Sequence, residues 1–581
     1  MLQKLWTNHG RILRDQPEMM PWNVYPRPQM KRDSWLSLNG YWDFAVSEKD
    51  AMPEEYTKTI RVPFCPESML SGIEKHYPEG AYLFYRRSLT LPAGFNRGRV
   101  LLHIGAADQI ADVFVNGKQL CHHENGYEAF SCDITDALEE TNEIIVRCKD
   151  DLNDQSFPYG KQVKERGGMW YTPVSGIWQT VWVESVPEAY IQSLHIENRG
   201  YSVTIDTGNP DLTGTVTVKD LGTYPLEEGK VTITPENPNL WSPENPYLYE
   251  FALEAGEDKV ESYFAIRSLE IKKVGKYPRL CLNGKPYFFH GLLDQGYWPE
   301  GLLTAPAPES YAEDILAMKK LGYNTLRKHI KVEPEEFYYQ CDKLGMIVWQ
   351  DMVNNGDYNY HRDTLLPTAG FQKVPDKYMH RDQLTRTRFL MGMIKTVMQL
   401  RNHPSIVYWT IFNEGWGQFD SEYVFEEFKQ YDDTRFVNAT SGWFRQKKSD
   451  VEGRHMYFYP GKMNLKGNGK QPLVLSEFGG KAYGAQDHVF NPDKVYGYGS
   501  TCENLKELDI AVSSLYMGEV LPCVKNGLCA SIYTQVSDVE DEINGLLTYD
   551  RQVEKLTPEI MLPIAHALQA ALEEETACGV K

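Results

Sequence analysis

The 581-residue sequence predicts a multidomain protein: an N-terminal all-β jelly-roll sandwich over residues 1–187, an immunoglobulin-like β-sandwich over 188–275, and a C-terminal (β/α)8 TIM barrel over 276–581. Three observations predict it. The chain is longer than a single hydrophobic core supports. Its first third is dense in short β-branched and aromatic runs. From about Cys281 the pattern changes to strands alternating with segments of helical period.

In the first domain, "GYWDFAVS", "AYLFYRRSLTLP", "RVLLHIG", "ADVFVNGKQL", "NEIIVRCKD" and "IWQTVWVE" read as strands between polar turns. "VNGK", Val115 to Lys118, is a hairpin signal, because Asn-Gly supplies the two positive φ angles of a type I′ turn. The runs "SVTIDTG", "GTVTVKD", "KVTITPE" and "YLYEFALEAG", punctuated by "PENPNLWSPENPY", predict the second, smaller sandwich. Next comes the strand "PYFFHGLLD". The helix "SYAEDILAMKKLG" follows it, with Tyr311, Ile315 and Met318 on one face. The remaining predicted strands are "YNTLRKHI", "MIVWQDM", "SIVYWTIF", "FVNATSGW", "RHMYFY", "PLVLSEF" and "LCASIYTQ". Eight strands with helical connections predict a parallel barrel whose active site lies at the strands' C-terminal ends, although the helices after strands five and six are weakly marked.

Composition narrows the function. A formal charge of -20 and the lack of a basic stripe argue against a nucleic-acid or anionic-membrane partner. No apolar run has the length of a membrane span or a signal peptide core, so a cytoplasmic protein is expected. The ten cysteines stand singly without CxxC spacing and are expected to be free thiols. Thirteen Trp and 36 Tyr offer flat faces of the kind that line sugar pockets.

Two strand ends carry carboxylates. Strand four runs into Asn413-Glu414 and a Gly-Trp-Gly turn, and strand seven ends in Glu477 before two glycines. A Glu after a strand is also an ordinary first-turn residue of the next helix. Two of them across a barrel mouth are the minimum equipment for glycoside hydrolysis: one protonates the leaving oxygen while the other attacks or activates water. Asn413 would suit a hydrogen bond to the sugar's 2-hydroxyl.

The chain resembles the family 2 glycoside hydrolases, the β-galactosidase and β-glucuronidase group, through collinear motifs. These are "WLSLNGYWDF", "DVFVNGK", "VSGIWQTVWVE", "LWSPENPYLYEF", "LNGKPYFFHG", "CDKLGMIVWQDM", "RNHPSIVYWTIFNEGWG" and "LVLSEFGG". The resemblance implies Glu414 as general acid/base, Glu477 as nucleophile, Arg327 as the arginine steadying the nucleophile, and Tyr457 as the tyrosine bonding it, with Tyr459 as its rival. Strand-end positions add Asp294, Tyr297, Trp298, Asp351, Trp443, Tyr533 and Gln535 as further sugar contacts, with His290 and Asp351 expected together as hydroxyl binders. No cofactor and no metal are needed for double displacement. A homo-oligomer is in keeping with the family.

Glucuronidases of the family carry an Asn-x-Lys motif after strand eight; the stretch here, "DEINGLLTYDR", has none. The expected substrate is therefore a small β-galactoside. β-Glucuronide or galacturonide, α-L-arabinopyranoside and β-mannoside are the alternatives, and a noncatalytic carbohydrate-binding protein is the rival outside enzymes. "HRD" at 380–382 lacks the other kinase motifs, and His122-His123-Glu124 reads as a solvated loop rather than a metal site.

Overall fold

The computed structural model describes residues 2–372, 374–457, 461–499 and 501–578, with side chains as far as residue 575. The first domain is a sandwich of a six-stranded and a four-stranded antiparallel sheet. The larger runs Lys58–Val62, Gly40–Ser47, Tyr82–Leu89, Asn142–Lys149, Ile110–Val115, Lys118–Glu124. The smaller runs Trp35–Ser37, Val181–Val186, Arg99–Ile104, Phe130–Asp133. Alternate residues of the two sheets, among them Phe44, Val100, Leu102, Val113, Ile144 and Val183, meet in one core. Asn116 and Gly117 both have positive φ (51° and 78°), as the hairpin signal requires. His122 and His123 lie on the strand Lys118–Glu124, not in a loop. His122 bonds Asp112 while His123 turns the other way and stacks on Phe130, so they share no ligand position.

The second domain packs a three-stranded sheet (His195–Arg199, Ser202–Asp206, Lys230–Ile233) on a four-stranded one (Gly222–Leu226, Gly214–Val218, Tyr249–Ala255, Asp258–Phe264). Its expected end at residue 275 falls inside a hairpin, Leu269–Val274 with Tyr277–Leu282. Leu280 and Leu282 of that hairpin close the floor of the barrel.

The barrel strands are β1 (Phe289–Asp294), β2 (Thr325–Lys328), β3 (Ile347–Asp351), β4 (Ile406–Asn413), β5 (Phe436–Ser441), β6 (Glu452–Met456), β7 (Leu473–Gly479) and β8 (Leu528–Thr534). They pair in parallel in the order β5-β4-β3-β2-β1-β8-β7-β6, leaving the barrel without a ladder between β5 and β6 among the described residues. Its interior is packed by Phe289, Leu293, Trp349, Tyr408, Val474 and Ile532, with Trp349 and Tyr408 stacked 3.9 Å apart. Its longer helices are α1 (Glu309–Lys320), α2 (Glu335–Leu344), α3 (Gln383–Leu400), α4 (Ser421–Lys429), α5 (Leu505–Leu515) and α6 (Pro558–Cys578). No helix follows β5 or β6 among the described residues, so helical connections are not universal here. Asp382 of the "HRD" triplet caps α3, its carboxylate accepting from the Thr385 N–H at 2.7 Å.

The first domain reaches into the barrel. Its loop 151–175 is tied down by Tyr159, which donates to the Gly356 carbonyl at 2.8 Å, and by Tyr171, which donates to Glu542 at 2.6 Å.

Candidate active site

β4 and β7 bring Glu414 and Glu477 face to face. Glu414 follows the last residue of β4 in a left-handed conformation (φ 51°), anchored by its N–H to the Ser441 carbonyl at 2.9 Å. Register shifts in the β6–β7 and β7–β8 ladders, at Arg454/His455 and Leu475/Phe478, bend the strands around Glu477 and re-aim their side chains. A carboxylate oxygen of Glu414, one of Glu477 and a ring nitrogen of His455 all lie within 4.8 Å of one another. These are also the donors that a small cation would need, but the Arg327 guanidinium beside Glu477 already supplies positive charge there.

Arg327 is fully buried at the centre of the site. Its Nη1 donates to Glu477 Oε1 at 2.8 Å, Nη2 to Asn413 Oδ1 at 2.8 Å, and Nε to Asp351 Oδ1 at 2.9 Å. Asp351 Oδ2 is held by His329 Nδ1 at 2.9 Å. Tyr457 donates to Glu477 Oε2 at 2.8 Å, and its hydroxyl lies 2.5 Å from Thr534 Oγ1. With its carbonyl oxygen spent on Arg327, Asn413 keeps a buried amide N–H2 that has no partner among the described residues.

The two acids differ in surroundings. Burial pushes Glu414 up to about 7, with Lys161 and Arg327 pulling weakly the other way. Burial also raises Glu477, but this carboxylate has the guanidinium in direct contact and a phenol donating to its other oxygen, so of the two it is the better anion. His455 is driven down to about 3 by burial and is neutral. Its ring connects Glu414 to a hydrogen-bond chain: Nδ1 is 2.8 Å from Glu414 Oε1, Nε2 is 2.8 Å from Ser441 Oγ, and Ser441 donates to Ser476 at 2.8 Å. Ser476 in turn donates to the Arg454 carbonyl at 3.3 Å, an acceptor that fixes the direction of the chain. That order requires Nε2–H on His455 and a free Nδ1 lone pair, which pairs with a protonated Glu414. Two longer ring contacts, Arg327 Nη1 at 3.5 Å from Nε2 and Glu477 Oε2 at 3.6 Å from Nδ1, are too long to compete.

Of the residues singled out from sequence, Glu414, Glu477, Asn413, Arg327 and Tyr457 come together. Trp443 lies against the ring of His455 (5.6 Å, edge-on) and donates to the Asp363 carbonyl. Asp351 is at the site but has both oxygens occupied, so it orients Arg327 and His329 instead of reading a hydroxyl. Six others are elsewhere. His290 points away from the barrel axis, stacked on Tyr323 and edge-on to Tyr516. Asp294 pairs with Lys328 at 2.7 Å. Tyr533 also faces the helices, its oxygen accepting from the Lys481 N–H at 2.9 Å. Tyr297 and Trp298 are buried against Tyr171 and Arg551, and Gln535 bonds Asn544. Tyr459 lies outside the described residues.

Residues that the sequence reading did not select complete the site. His455 sits in a strand run that was recognised, but only its register reveals its aim. Lys161 comes from the first domain, its ammonium 4.8 Å from the ring centre of Trp416 and 5.4 Å from that of Trp170. Glu542 lies opposite, between Tyr171 and Asn544.

Comparison with known proteins agrees with this architecture. Three family models match in order: the "Glycosyl hydrolase 2 galactose-binding domain-like" model over residues 73–171, "Glycosyl hydrolases family 2" over 189–267, and "Glycosyl hydrolases family 2, TIM barrel domain" over 273–555. A β-glucuronidase of Bacteroides fragilis is 25% identical over 441 residues, covering 70% of this chain and 61% of that protein. A β-galactosidase of Priestia megaterium is 24% identical over 505 residues, covering 78% and 45%. The chain thus spans about half to two thirds of the length of the curated relatives it matches. Among solved structures, a β-D-glucuronidase of Dictyoglomus thermophilum superposes with a TM-score of 0.71 at 18% identity, covering 95% of this chain and 98% of that one. A family 2 β-galacturonidase of Eisenbergiella tayi, bound to galacturonate, superposes with a TM-score of 0.65 at 17% identity over 95% and 99%. At these identities the superpositions speak for a shared fold, and the three collinear models place the chain: it belongs to family 2 of the glycosyl hydrolases.

Proposed function

We propose that the protein is an exo-acting, retaining β-glycosidase that removes terminal sugars by double displacement. The separation of the two acids carries this reading. Retaining enzymes hold their carboxyl groups about 5 to 5.5 Å apart, whereas inverting enzymes need about 6.5 to 9.5 Å to admit a water. The closest oxygens of Glu414 and Glu477 lie within 4.8 Å, short of the separation that inverting enzymes need.

In the first step Glu477, ionised against Arg327, attacks the anomeric carbon as Glu414 delivers its proton to the departing oxygen, giving a glycosyl ester on Glu477. In the second, Glu414, now anionic, takes a proton from water, which cleaves the ester and returns the sugar with its β configuration. The free N–H2 of Asn413 is placed to donate to the 2-hydroxyl, a contact that strengthens as charge develops on the ring. Both acids are almost sealed from solvent, with Glu414 8% and Glu477 4% exposed, which favours a chain end over the middle of a polymer.

This chemistry accommodates the β-galactoside expected from sequence as well as the β-uronides named for several relatives. Proton NMR of an aryl β-glycoside reaction tests it. The β anomer is expected to form first and then mutarotate; an initial α product would overturn the retaining assignment. Glu477→Gln and Glu414→Gln should each abolish turnover of whichever glycoside is cleaved.

A further inference from the structure

Four lysines of the described chain are buried, and three have acidic partners. Lys328 pairs with Asp294 and Glu333, Lys331 with Glu333 at 2.8 Å, and Lys555 with Asp538 at 2.6 Å. The fourth, Lys161, is 5% exposed. Among the described residues its ammonium has neither a hydrogen-bond partner nor a carboxylate at ion-pair distance. We propose that this ammonium binds an anionic group of the glycone, and that β-linked hexuronides are the substrates of the site in preference to neutral hexosides. The proposal rests on the glycosidase reading and names its substrate class.

The charged groups facing Lys161 are Glu542, Glu477, Glu414 and Arg327. Each of these carboxylates is engaged elsewhere. Glu542 accepts from Tyr171 and Asn544, Glu477 from Arg327 and Tyr457, and Glu414 has His455. A desolvated cation left without a counter-charge is costly, and a sugar carboxylate arriving in contact would supply the missing one. Burial holds the Lys161 pKa below the ordinary lysine range, so a ligand carboxylate would also keep it protonated.

The site is built to hold the ammonium still. Gly160 has φ 62°, and a Cβ there would lie 2.9 Å from both the Ile330 carbonyl and the Tyr127 hydroxyl, so the backbone runs flush against the barrel. On the other side Gln162 donates to Asp108 and Tyr127 at 3.0 Å and accepts from the Val174 N–H at 2.7 Å. Trp170 and Trp416, 5.1 Å apart, form the wall along which the lysine lies. The absence of an Asn-x-Lys lysine after β8 therefore does not leave the site without a cation: the first domain provides one.

The test uses the full chain and its Lys161→Met and Lys161→Arg variants, assayed on 4-nitrophenyl β-D-glucuronide, β-D-galacturonide and β-D-galactoside. Wild type is expected to favour a uronide. Lys161→Met should reduce the uronide-to-galactoside ratio of kcat/KM about 100-fold, mainly through KM, with partial recovery in Lys161→Arg. A galactoside-preferring wild type, or an unchanged ratio in Lys161→Met, would overturn the proposal. Titration calorimetry with free D-glucuronate, D-galacturonate and D-galactose reads binding without turnover. Uronate binding that is lost in Lys161→Met supports the assignment even if Glu477 proves not to be the nucleophile, and failure of wild type to bind either uronate refutes it whatever the enzyme cleaves.

Discussion

The hydrogen bond between His455 and Glu414 makes the proton inventory of the site testable. With Nδ1 accepting, the ring stabilises the protonated acid, so its removal should let Glu414 ionise at lower pH. The alkaline limb of kcat/KM is expected near 7 in wild type, because in the proposed mechanism Glu414 is the group that carries the proton, and should move to lower pH in His455→Phe. A limb that moves upward would mean that the ring donates to a carboxylate instead. Asp351→Asn should lower kcat by about 10²-fold or more, since Arg327 would lose the anion that fixes its Nε while Glu477 remains intact; stopped assays across substrate concentrations separate this from a change in KM. Strand-end acids were legible in sequence because a carboxylate after an apolar run is conspicuous. The aim of their neighbours was not: one residue along a strand reverses the face. Phe289 and Leu293 fill the barrel while His290, between them in sequence, faces Tyr323. On β8, Thr534 reaches Tyr457 while Tyr533 turns to Lys481. Barrel strands are apolar on both faces, so nothing in the residue pattern sets that phase.

At the scale of elements, the turn that leaves β4 controls the pocket wall. Gly415 and Gly417 have φ of 78° and 62°, and a Cβ on Gly417 would stand 2.3 Å from the Asn355 carbonyl. Gly417→Ala combines a clash with a left-handed backbone. It should cost about 2 kcal/mol or more of stability and shift Trp416, lowering kcat/KM as well; thermal denaturation beside kinetics will show whether both fall. Most barrel strands could be read from an apolar run; β6, Glu-Gly-Arg-His-Met, has none, and the expected run "RHMYFY" overlaps it only at 454–456. The connections after β5 and β6 could not be read as helices, and among the described residues they contain none. These segments flank the β5–β6 seam, which carries no ladder among the described residues and where Gly453 sits close against Asn438: a Cβ there would lie 2.5 Å from its side-chain nitrogen. Loop 151–175 has neither helical nor strand period, so its insertion beside the barrel mouth left no trace in the pattern. It took the docked domains to bring Lys161 to Glu542.

The whole molecule carries an unusual load of buried acid. Burial raises Glu67, Glu300, Glu540 and Asp108 to about 7 and Asp538 to about 6. Each is protonated in the folded protein at pH values where the unfolded chain has already released the proton, so folding binds protons between about 4 and 7. Taken alone these acids make stability fall as pH rises through that window, while His123, His290, His329 and His455, which burial holds neutral down to about 4 or 3, make it rise as pH climbs to the ordinary histidine value. Glu184 acts in the same sense as these histidines: despite burial, Arg27, His103 and Arg32 hold it below the usual carboxylate range, and its contribution is lost only in stronger acid. Scanning calorimetry of Glu300→Gln isolates one acid: relative to wild type the variant should gain in unfolding temperature on going from pH 5.5 to pH 8, and an equal difference at both values would show that Glu300 is ionised in the fold. Three of the group sit where the chain's first part meets itself or the barrel, Glu67 on Ser175, Glu300 on Thr7 and Glu540 on Thr172, so alkaline conditions should loosen that junction first. The same junction presents Lys161 to the catalytic acids. If Lys161 reads the sugar as proposed, bond cleavage and sugar choice are inherited through different stretches of one gene, and a graft of residues 157–175 would change what the enzyme accepts while its reacting pair stays as it is.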